Sequence, residues 1–381
     1  MPSTQILLSG GEASGDMYAA QLATAMKARV NCEFFGMGGD QMRAAGVDVI
    51  TDYSEVSVLG ITEILGHLPQ LIRAMRGLVN AARSRKPSLA ILTDFPGFHL
   101  RLARKLKPLG VRNVYYICPQ FWAWRPWRVR LVRRRFALAL CIFPFEEKFF
   151  GDAGVPVKFI GHPLVGKVAP SQTREAFFAK NGLNPALPLV TILPGSRNSE
   201  LARHLPILRQ SCVRIHAEIP VQFVAAAAPG RTDSLRQGWP QNLLLRVIEG
   251  QTYDALAHAS TSIVSSGTAT VEAALLNSPM VVVYRVTPLT ALLAKPLVRT
   301  KYFSMVNLLA GREVVPELIQ NEFTPENVAA RTLSLLRDPA AVAAMQADLA
   351  EVRTRLGPPG AVERAADAIA ELLAKPSGND S

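Results

Sequence analysis

The chain has 381 residues, 49% of them hydrophobic, and 42 basic against 30 acidic side chains give a formal net charge of +12. That length accommodates two α/β domains, each with its own core. Although mean hydropathy is +0.16, no apolar run reaches the roughly 18 residues a membrane span needs, and the best stretch, 280–298, is broken by Arg285, Pro288, Lys295 and Pro296.

The first apolar strand, 5–9, runs into Gly10-Gly11-Glu12-Ala13-Ser14-Gly15-Asp16 and then a helical stretch over 17–28. No positive charge precedes that strand, which argues against a secretory signal. Glycines let backbone approach a ligand, Ser14 is placed to cap the helix, and free N–H groups at a helix start attract negative charge. The Glu12 carboxylate would repel a pyrophosphate, so it suits hydroxyls; the competing reading is that these acids serve only the helix dipole. Further apolar runs at 33–35, 47–50, 89–93, 114–118, 138–143 and 157–160 alternate with helical patterns. Parallel strands buried on both faces give such nearly continuous runs.

Asp94 stands at the carboxyl edge of the fourth strand, ahead of the turn formers Pro96 and Gly97 and a helix over 100–109. A helix cap and a general base are both open readings there. The preceding segment, Val56 to Leu68, is apolar and Gly-punctuated, either core or a greasy loop that meets acyl chains or a bilayer; its candidate contacts are Val58, Leu59, Ile61, Ile64, Leu65 and Leu68. From Gly97 to Phe145 there are eleven Lys or Arg and no Asp or Glu. That concentration favours an anionic surface or substrate, with Arg125, Arg128, Arg133, Arg134 and Arg135 as its centre. Trp122, Trp124 and Trp127 interleave with these arginines, a mixture open to base stacking, a lipid interface or packing alone.

A second series of strands follows the polar, Pro-containing stretch 163–188, at 189–193, 221–225, 244–247, 262–264 and 281–284. Its first strand leads into Gly195-Ser196-Arg197, where Arg197 can pair with a phosphate in bidentate fashion. Its fourth leads into Ser265-Ser266-Gly267-Thr268-Ala269-Thr270-Val271-Glu272. Thr268 and Glu272 share a helix face, so a diphosphate fits the Ser266–Thr268 amides with Glu272 on a ribose diol; a plain first-turn acid is the alternative for Glu272. Helices close the chain over 325–336, 340–356 and 361–374, the last two separated by Pro358-Pro359-Gly360, and 376–381 reads as disordered. The four cysteines, Cys32, Cys118, Cys141 and Cys212, form no CxxC pair and read as reduced core thiols of a cytoplasmic protein. Neither histidines nor carboxylates show a metal-ligand spacing, so no metal is expected. The pattern predicts an α/β chain of two doubly wound, Rossmann-like domains whose strand ends face a cleft, with domains at 1–165 and 166–345 and helices over 346–381 crossing back to the first.

With those residues in place, the chain resembles the lipid-A-disaccharide synthases, GT-B-fold inverting glycosyltransferases of Gram-negative outer-membrane biogenesis. The resemblance spans Ser9 to about Glu317 and rests on Gly11-Glu12-Ala13-Ser14-Gly15-Asp16, Pro119-Gln120-Phe121-Trp122-Ala123-Trp124-Arg125, Phe159-Ile160-Gly161-His162-Pro163, Leu193-Pro194-Gly195-Ser196-Arg197, Ser266-Gly267-Thr268-Ala269 and Asn307-Leu308-Leu309-Ala310-Gly311-Arg312. It implies transfer of 2,3-diacylglucosamine from its UDP derivative to the 6-hydroxyl of 2,3-diacylglucosamine 1-phosphate, without metal or other cofactor. Asp94 is then the implied base, with Glu12, Arg197 and Asn307 in the active site. Ser14, Gly15, Ser266, Gly267, Thr268 and Glu272 join Arg197 and Asn307 as the expected UDP-sugar contacts. Where relatives often carry Pro-Asp-Phe-Asn, this chain has Pro96-Gly97-Phe98-His99. The expected setting is cytoplasmic, peripheral to the inner membrane on an anionic leaflet, with the C-terminal part packed on its own first domain or exchanged within a homodimer. The alternative enzyme is a hydrolysing UDP-N-acetylglucosamine 2-epimerase of the same architecture. Nucleic acid is not an expected partner, because the basic run lies inside a βαβ series and no nucleic-acid motif accompanies it.

Overall fold

The computed structural model describes residues 3–56, 68–294 and 300–375. The chain divides into unit 1, residues 1–165 with 356–381, and unit 2, residues 166–355.

Unit 1 is built on a parallel sheet of β1 (Thr4–Gly10), β2 (Cys32–Gly38), β3 (Asp48–Asp52), β4 (Leu89–Thr93), β5 (Arg112–Tyr116), β6 (Leu138–Cys141) and β7 (Val157–Phe159), in the order β3-β2-β1-β4-β5-β6-β7. The order reverses between β1 and β4, which pair directly from Ile6 with Leu89 to Gly10 with Thr93. That switch point brings the loop after β1 against the turn after β4, where a doubly wound sheet leaves room for a site. Ile6, Leu7 and Leu8 are wholly buried, as are all five residues of β4 to within 1%, because helices cover both faces.

The last helix, Ala361–Ala374, belongs to this unit and packs on the helix Ala13–Lys27. Arg29 pairs with Asp367 at 2.5 Å, Arg364 donates to the Ile160 carbonyl at 2.8 Å and Arg112 to that of Leu372 at 2.7 Å. The expected break at 345/346 falls inside the helix Pro339–Arg355, which stays with unit 2. Leu349 and Val352 bury there and Arg312 forks onto Asp348, so the crossing comes where Gly357 and Gly360 take positive φ.

Unit 2 repeats the plan with β8 (Leu189–Leu193), β9 (Gln222–Ala227), β10 (Leu245–Glu249), β11 (Thr261–Ser265), β12 (Met280–Tyr284) and β13 (Glu317–Ile319), in the parallel order β10-β9-β8-β11-β12-β13. Its switch point is the β8–β11 pair. The three-residue β13 is an element the sequence reading did not contain. Among the described residues, no helix is long and apolar enough to cross a membrane.

Candidate active site

In unit 1 the candidate site centres on the turn that carries Asp94. Asp94 and Phe95 take φ of 55° and 40°, two consecutive non-glycine residues in the left-handed region, at a cost of roughly 1–2 kcal/mol each. Neighbouring strands hold the turn. The Tyr115 hydroxyl on β5 donates to the Asp94 carbonyl at 3.0 Å, and His99 Nδ1 lies 2.9 Å from the same oxygen. A carbonyl only accepts, so Nδ1 carries the proton and Nε2 accepts from the Ser9 hydroxyl on β1 at 2.8 Å. Burial pushes the His99 pKa down to about 4, which keeps the ring neutral and its tautomer fixed.

The Asp94 side chain accepts from the Gly11 N–H at 2.9 Å through Oδ1; Oδ2 is buried with no hydrogen-bond partner. Burial pushes this carboxyl up to about 8, the Gly11 amide pulls the other way, and the Glu12 charge adds to the rise. The glycines of the opening loop are there for this turn. A Cβ on Gly11 would lie 2.4 Å from Phe95 Cβ, and one on Gly15 would lie 1.8 Å from Asp94 Oδ2. Gly15 is therefore packed by Asp94, and the loop is no open phosphate cradle. Ser14 does not cap the helix either: Glu12 occupies the N-cap position, without a side-chain cap bond, and Ser14 is an exposed residue of the first turn. Glu12 is exposed beside the half-buried Asp94. Asp16 turns inward to accept from the N–H groups of Gly39, Gln41 and Met42, capping the next helix.

Around this turn two cavities flank the helix Pro96–Leu106. One, of about 560 Å³, is apolar, walled by Leu68, Leu71, Ile72, Met75, Phe95 and Phe98, with Arg76, Arg101 and Lys105 at its rim. Leu68 and Ile72 are 48% and 43% exposed. Val58, Leu59, Ile61, Ile64 and Leu65 lie outside the described residues. The basic run divides in two: Arg133 and Arg134 are exposed, whereas Arg125, Arg128 and Arg135 are half-buried. Arg125 stacks over Trp124 at 4.6 Å. Trp122 donates to the fully buried Glu146 at 3.0 Å, so that tryptophan is an anchor of the fold.

In unit 2 a cavity of about 590 Å³ sits beyond the carboxyl ends of β8, β9 and β11, and it gathers Arg197, Ser266, Gly267, Thr268 and Glu272. Gly267 takes φ of 149° with nothing within 4 Å of where a Cβ would stand, so it serves an open backbone surface. The helix Thr268–Leu275 starts there without a side-chain cap. Arg197 is steadied by Glu200, which takes the guanidinium at 3.1 Å and the N–H groups of Ser196 and Arg197 at 3.1 and 3.3 Å. The Tyr253 hydroxyl donates to Glu272 at 3.2 Å, and burial raises the Glu272 pKa. Glu200 and Tyr253 carry no motif in the sequence, and only the fold brings them here.

Asn307 is not a lining residue of that cavity. Its amide donates to the Val315 carbonyl and to Glu317 at 2.8 Å each, and its oxygen accepts from the N–H groups of Val314 and Val315 at 2.7 and 3.0 Å. Every polar capacity of the fully buried side chain is filled within unit 2, which makes it a scaffold residue. Among the described residues, no cluster of His, Cys, Asp or Glu is arranged to hold a metal ion.

Residues 6–372 match the family model described as lipid-A-disaccharide synthetase. A lipid-A-disaccharide synthase of Solibacter usitatus is 48% identical over 371 residues, covering 97% of each chain. One of Myxococcus xanthus is 43% identical over 373 residues, again covering 97% of each. Among solved structures, a UDP complex of Staphylococcus aureus MnaA superposes with a TM-score of 0.67 at 14% identity, covering 99% of both chains. A calicheamicin glycosyltransferase gives 0.60 at 17% identity, over 98% of this chain and 99% of that one.

Proposed function

The chain belongs to the lipid-A-disaccharide synthase family of glycosyltransferases, and from that premise we propose how its residues divide the transfer. Unit 2 takes the UDP-diacylglucosamine donor. The amides at Ser266–Thr268 and the Arg197 guanidinium meet the diphosphate, and Glu272 accepts from a ribose hydroxyl. Displacement at the donor anomeric carbon leaves charge on UDP, and oriented N–H groups with a fixed cation stabilise that charge as it develops. The UDP in the S. aureus structure of the same fold supports this use of the cavity.

Unit 1 takes the 2,3-diacylglucosamine 1-phosphate acceptor. Its 6-hydroxyl gives its proton to Asp94 while its oxygen attacks, and the acyl chains enter the apolar groove beside Phe95 and Phe98. Glu12, exposed one turn away, holds sugar hydroxyls together with Ser14. The observation that carries the assignment is the Asp94 carboxyl itself: one oxygen anchored by Gly11, the other buried without a partner, and a pKa raised to about 8. A base is most effective with a pKa near the working pH. The shielded Oδ2 must turn toward the acceptor to act, which Glu12 need not do; Asp94→Asn and Glu12→Gln therefore separate the two carboxylates. Loss of turnover in the first, with UDP binding intact, supports Asp94, and near-normal turnover sinks it.

The cytoplasmic face of the inner membrane is the proposed setting, with Arg133 and Arg134 on the anionic leaflet, and a homodimer is the proposed assembly, each copy keeping its C-terminal helix on its own unit 1. The basic, exposed helix end supports the first. Vesicle binding that ignores both salt and charge reversal at Arg133 and Arg134 would remove it, and a monomeric mass in detergent would remove the second. UDP release from UDP-diacylglucosamine, scored with and without acceptor, tests the whole reading. Acceptor-dependent release is expected, whereas acceptor-independent release from UDP-N-acetylglucosamine is the epimerase outcome.

A further inference from the structure

We propose that the hollow between Arg101, Arg104, Arg128 and Arg135 binds a phosphate monoester, the anomeric phosphate of the acceptor sugar, and so selects phosphorylated acceptors. The inference rests on the acceptor-side reading of unit 1 and gives it a location and a selecting group.

The hollow is a separate, open cavity of about 240 Å³, lined besides the four arginines by Gly97, Leu100, Trp127 and Leu131. That volume is below the ~300–1,000 Å³ of pockets that hold drug-sized ligands, and it suits a small anionic group. It shares Gly97 and Arg101 with the apolar groove, which in turn contains Phe95, the neighbour of Asp94. One short helix, Pro96–Leu106, therefore borders an apolar groove and a cationic hollow side by side. An amphiphile whose acyl chains and phosphate leave the same sugar ring matches that arrangement.

Among the described residues, none of these four arginines forms an ion pair with a carboxylate. Some exposed arginines elsewhere do pair with carboxylates, as in Arg43 with Asp52, Arg85 with Asp48, Arg214 with Glu326 and Arg312 with Asp348. From Gly97 to Phe145 no such carboxylate exists in the chain. Arg128 is held instead over the rings of Trp124 and Trp127, at 5.6 Å from each, and its Nε is buried without a hydrogen-bond partner. Gathering guanidinium groups away from water costs both desolvation and mutual repulsion, and both lower the pKa of Arg128 and of Arg135. A dianionic monoester relieves both terms at once and fits the planar fork of arginine. A leaflet phosphodiester carries one charge and meets the protein at its surface, where Arg133 and Arg134 already stand exposed.

The test compares 2,3-diacylglucosamine acceptors with and without the anomeric phosphate, in detergent, on the full chain. Arg128→Met and, separately, Arg104→Met, which lines the hollow but not the apolar groove, are expected to lower kcat/KM for the phosphorylated acceptor by about 10–100-fold, mainly through KM. The dephosphorylated acceptor should react as with the parent protein, so the preference collapses. An equal fall for both acceptors, or no fall, overturns the proposal. So does an equal loss of preference on charge reversal at Arg133 and Arg134, which would place selection on the exposed face. Melting temperature and UDP affinity, unchanged in a folded variant, exclude collapse of the fold. Titration of inorganic phosphate by calorimetry reads the hollow without turnover: heat lost in Arg128→Met supports it, and heat retained overturns it. If the parent protein releases no UDP in response to acceptor, the transferase reading fails while this titration still judges the hollow.

Discussion

After β1, the glycines are filled by the protein itself: Gly11 lies under Phe95 and Gly15 against the Asp94 carboxylate. After β11 the same succession of strand, glycine and helix leaves Gly267 facing empty space, at the wall of a cavity of about 590 Å³. One loop gives up its openness to hold a strained turn and a raised carboxyl. The other keeps its amides free. A glycine at a strand end thus states that something comes close, and the partner strand at the switch point decides whether that is a ligand or the chain's own backbone.

The sharpest way to break this contrast is Gly15→Ala. A methyl 1.8 Å from Asp94 Oδ2 must displace the carboxyl, and we expect turnover to fall by at least about 100-fold with UDP affinity unchanged. An equal loss of UDP affinity would show that the first loop binds the donor after all. In unit 2, Arg197→Ala is expected to weaken UDP binding by about 10–100-fold, read by calorimetry; binding within twofold of the parent would take Arg197 off the diphosphate. The pH profile comes next. Because the raised pKa keeps Asp94 protonated below about 8, the ionised base increases with pH, and kcat/KM should rise roughly fivefold from pH 7 to pH 8 before levelling. UDP affinity should not share that inflection, and a profile flat over the range would separate the proton transfer from Asp94. The smallest change is expected from His99→Asn. An Asn amide can replace the donor to the Asp94 carbonyl but not the link to Ser9, so a fall of about threefold in kcat with KM unchanged is expected; a larger effect on KM than on kcat would deny His99 its role in aiming the carboxyl.

Much of this was legible in advance, for a physical reason. Central strands buried on both faces write themselves as unbroken apolar runs, and the half-exposed edge strands β3, β7 and β10 still carry enough apolar residues to register, so only β13 is missed. Glu317–Ile319 opens on an acid, whereas the equally short β7 opens on Val157, so β13 carries no apolar run to read. The end of β4 marked Asp94, and His99 lies only five residues beyond it, but Ser9 and Tyr115, which complete its support, come from the neighbouring strands β1 and β5, and only the sheet brings them together. Asn307 reads as a ligand group in a motif, and four hydrogen bonds to residues 314–317 show it as scaffold. No periodicity reveals how a side chain's lone pairs are filled. The boundary before the last helix was visible as Pro358-Pro359-Gly360, and the expected break fell short of it because the helix Pro339–Arg355 continues as a single packed element of unit 2.

The return of the last helix to unit 1 sets an order in time. Arg29 and Asp367 are 338 residues apart in sequence, and unit 2 is contiguous while unit 1 is interrupted. During synthesis at about 5–20 residues per second, the stretch between the two parts of unit 1 takes on the order of 10–40 s to appear. Throughout that interval the face of the helix Ala13–Lys27 destined for Ala361–Ala374 stands uncovered. The half of the protein that is made first is thus the last to be completed.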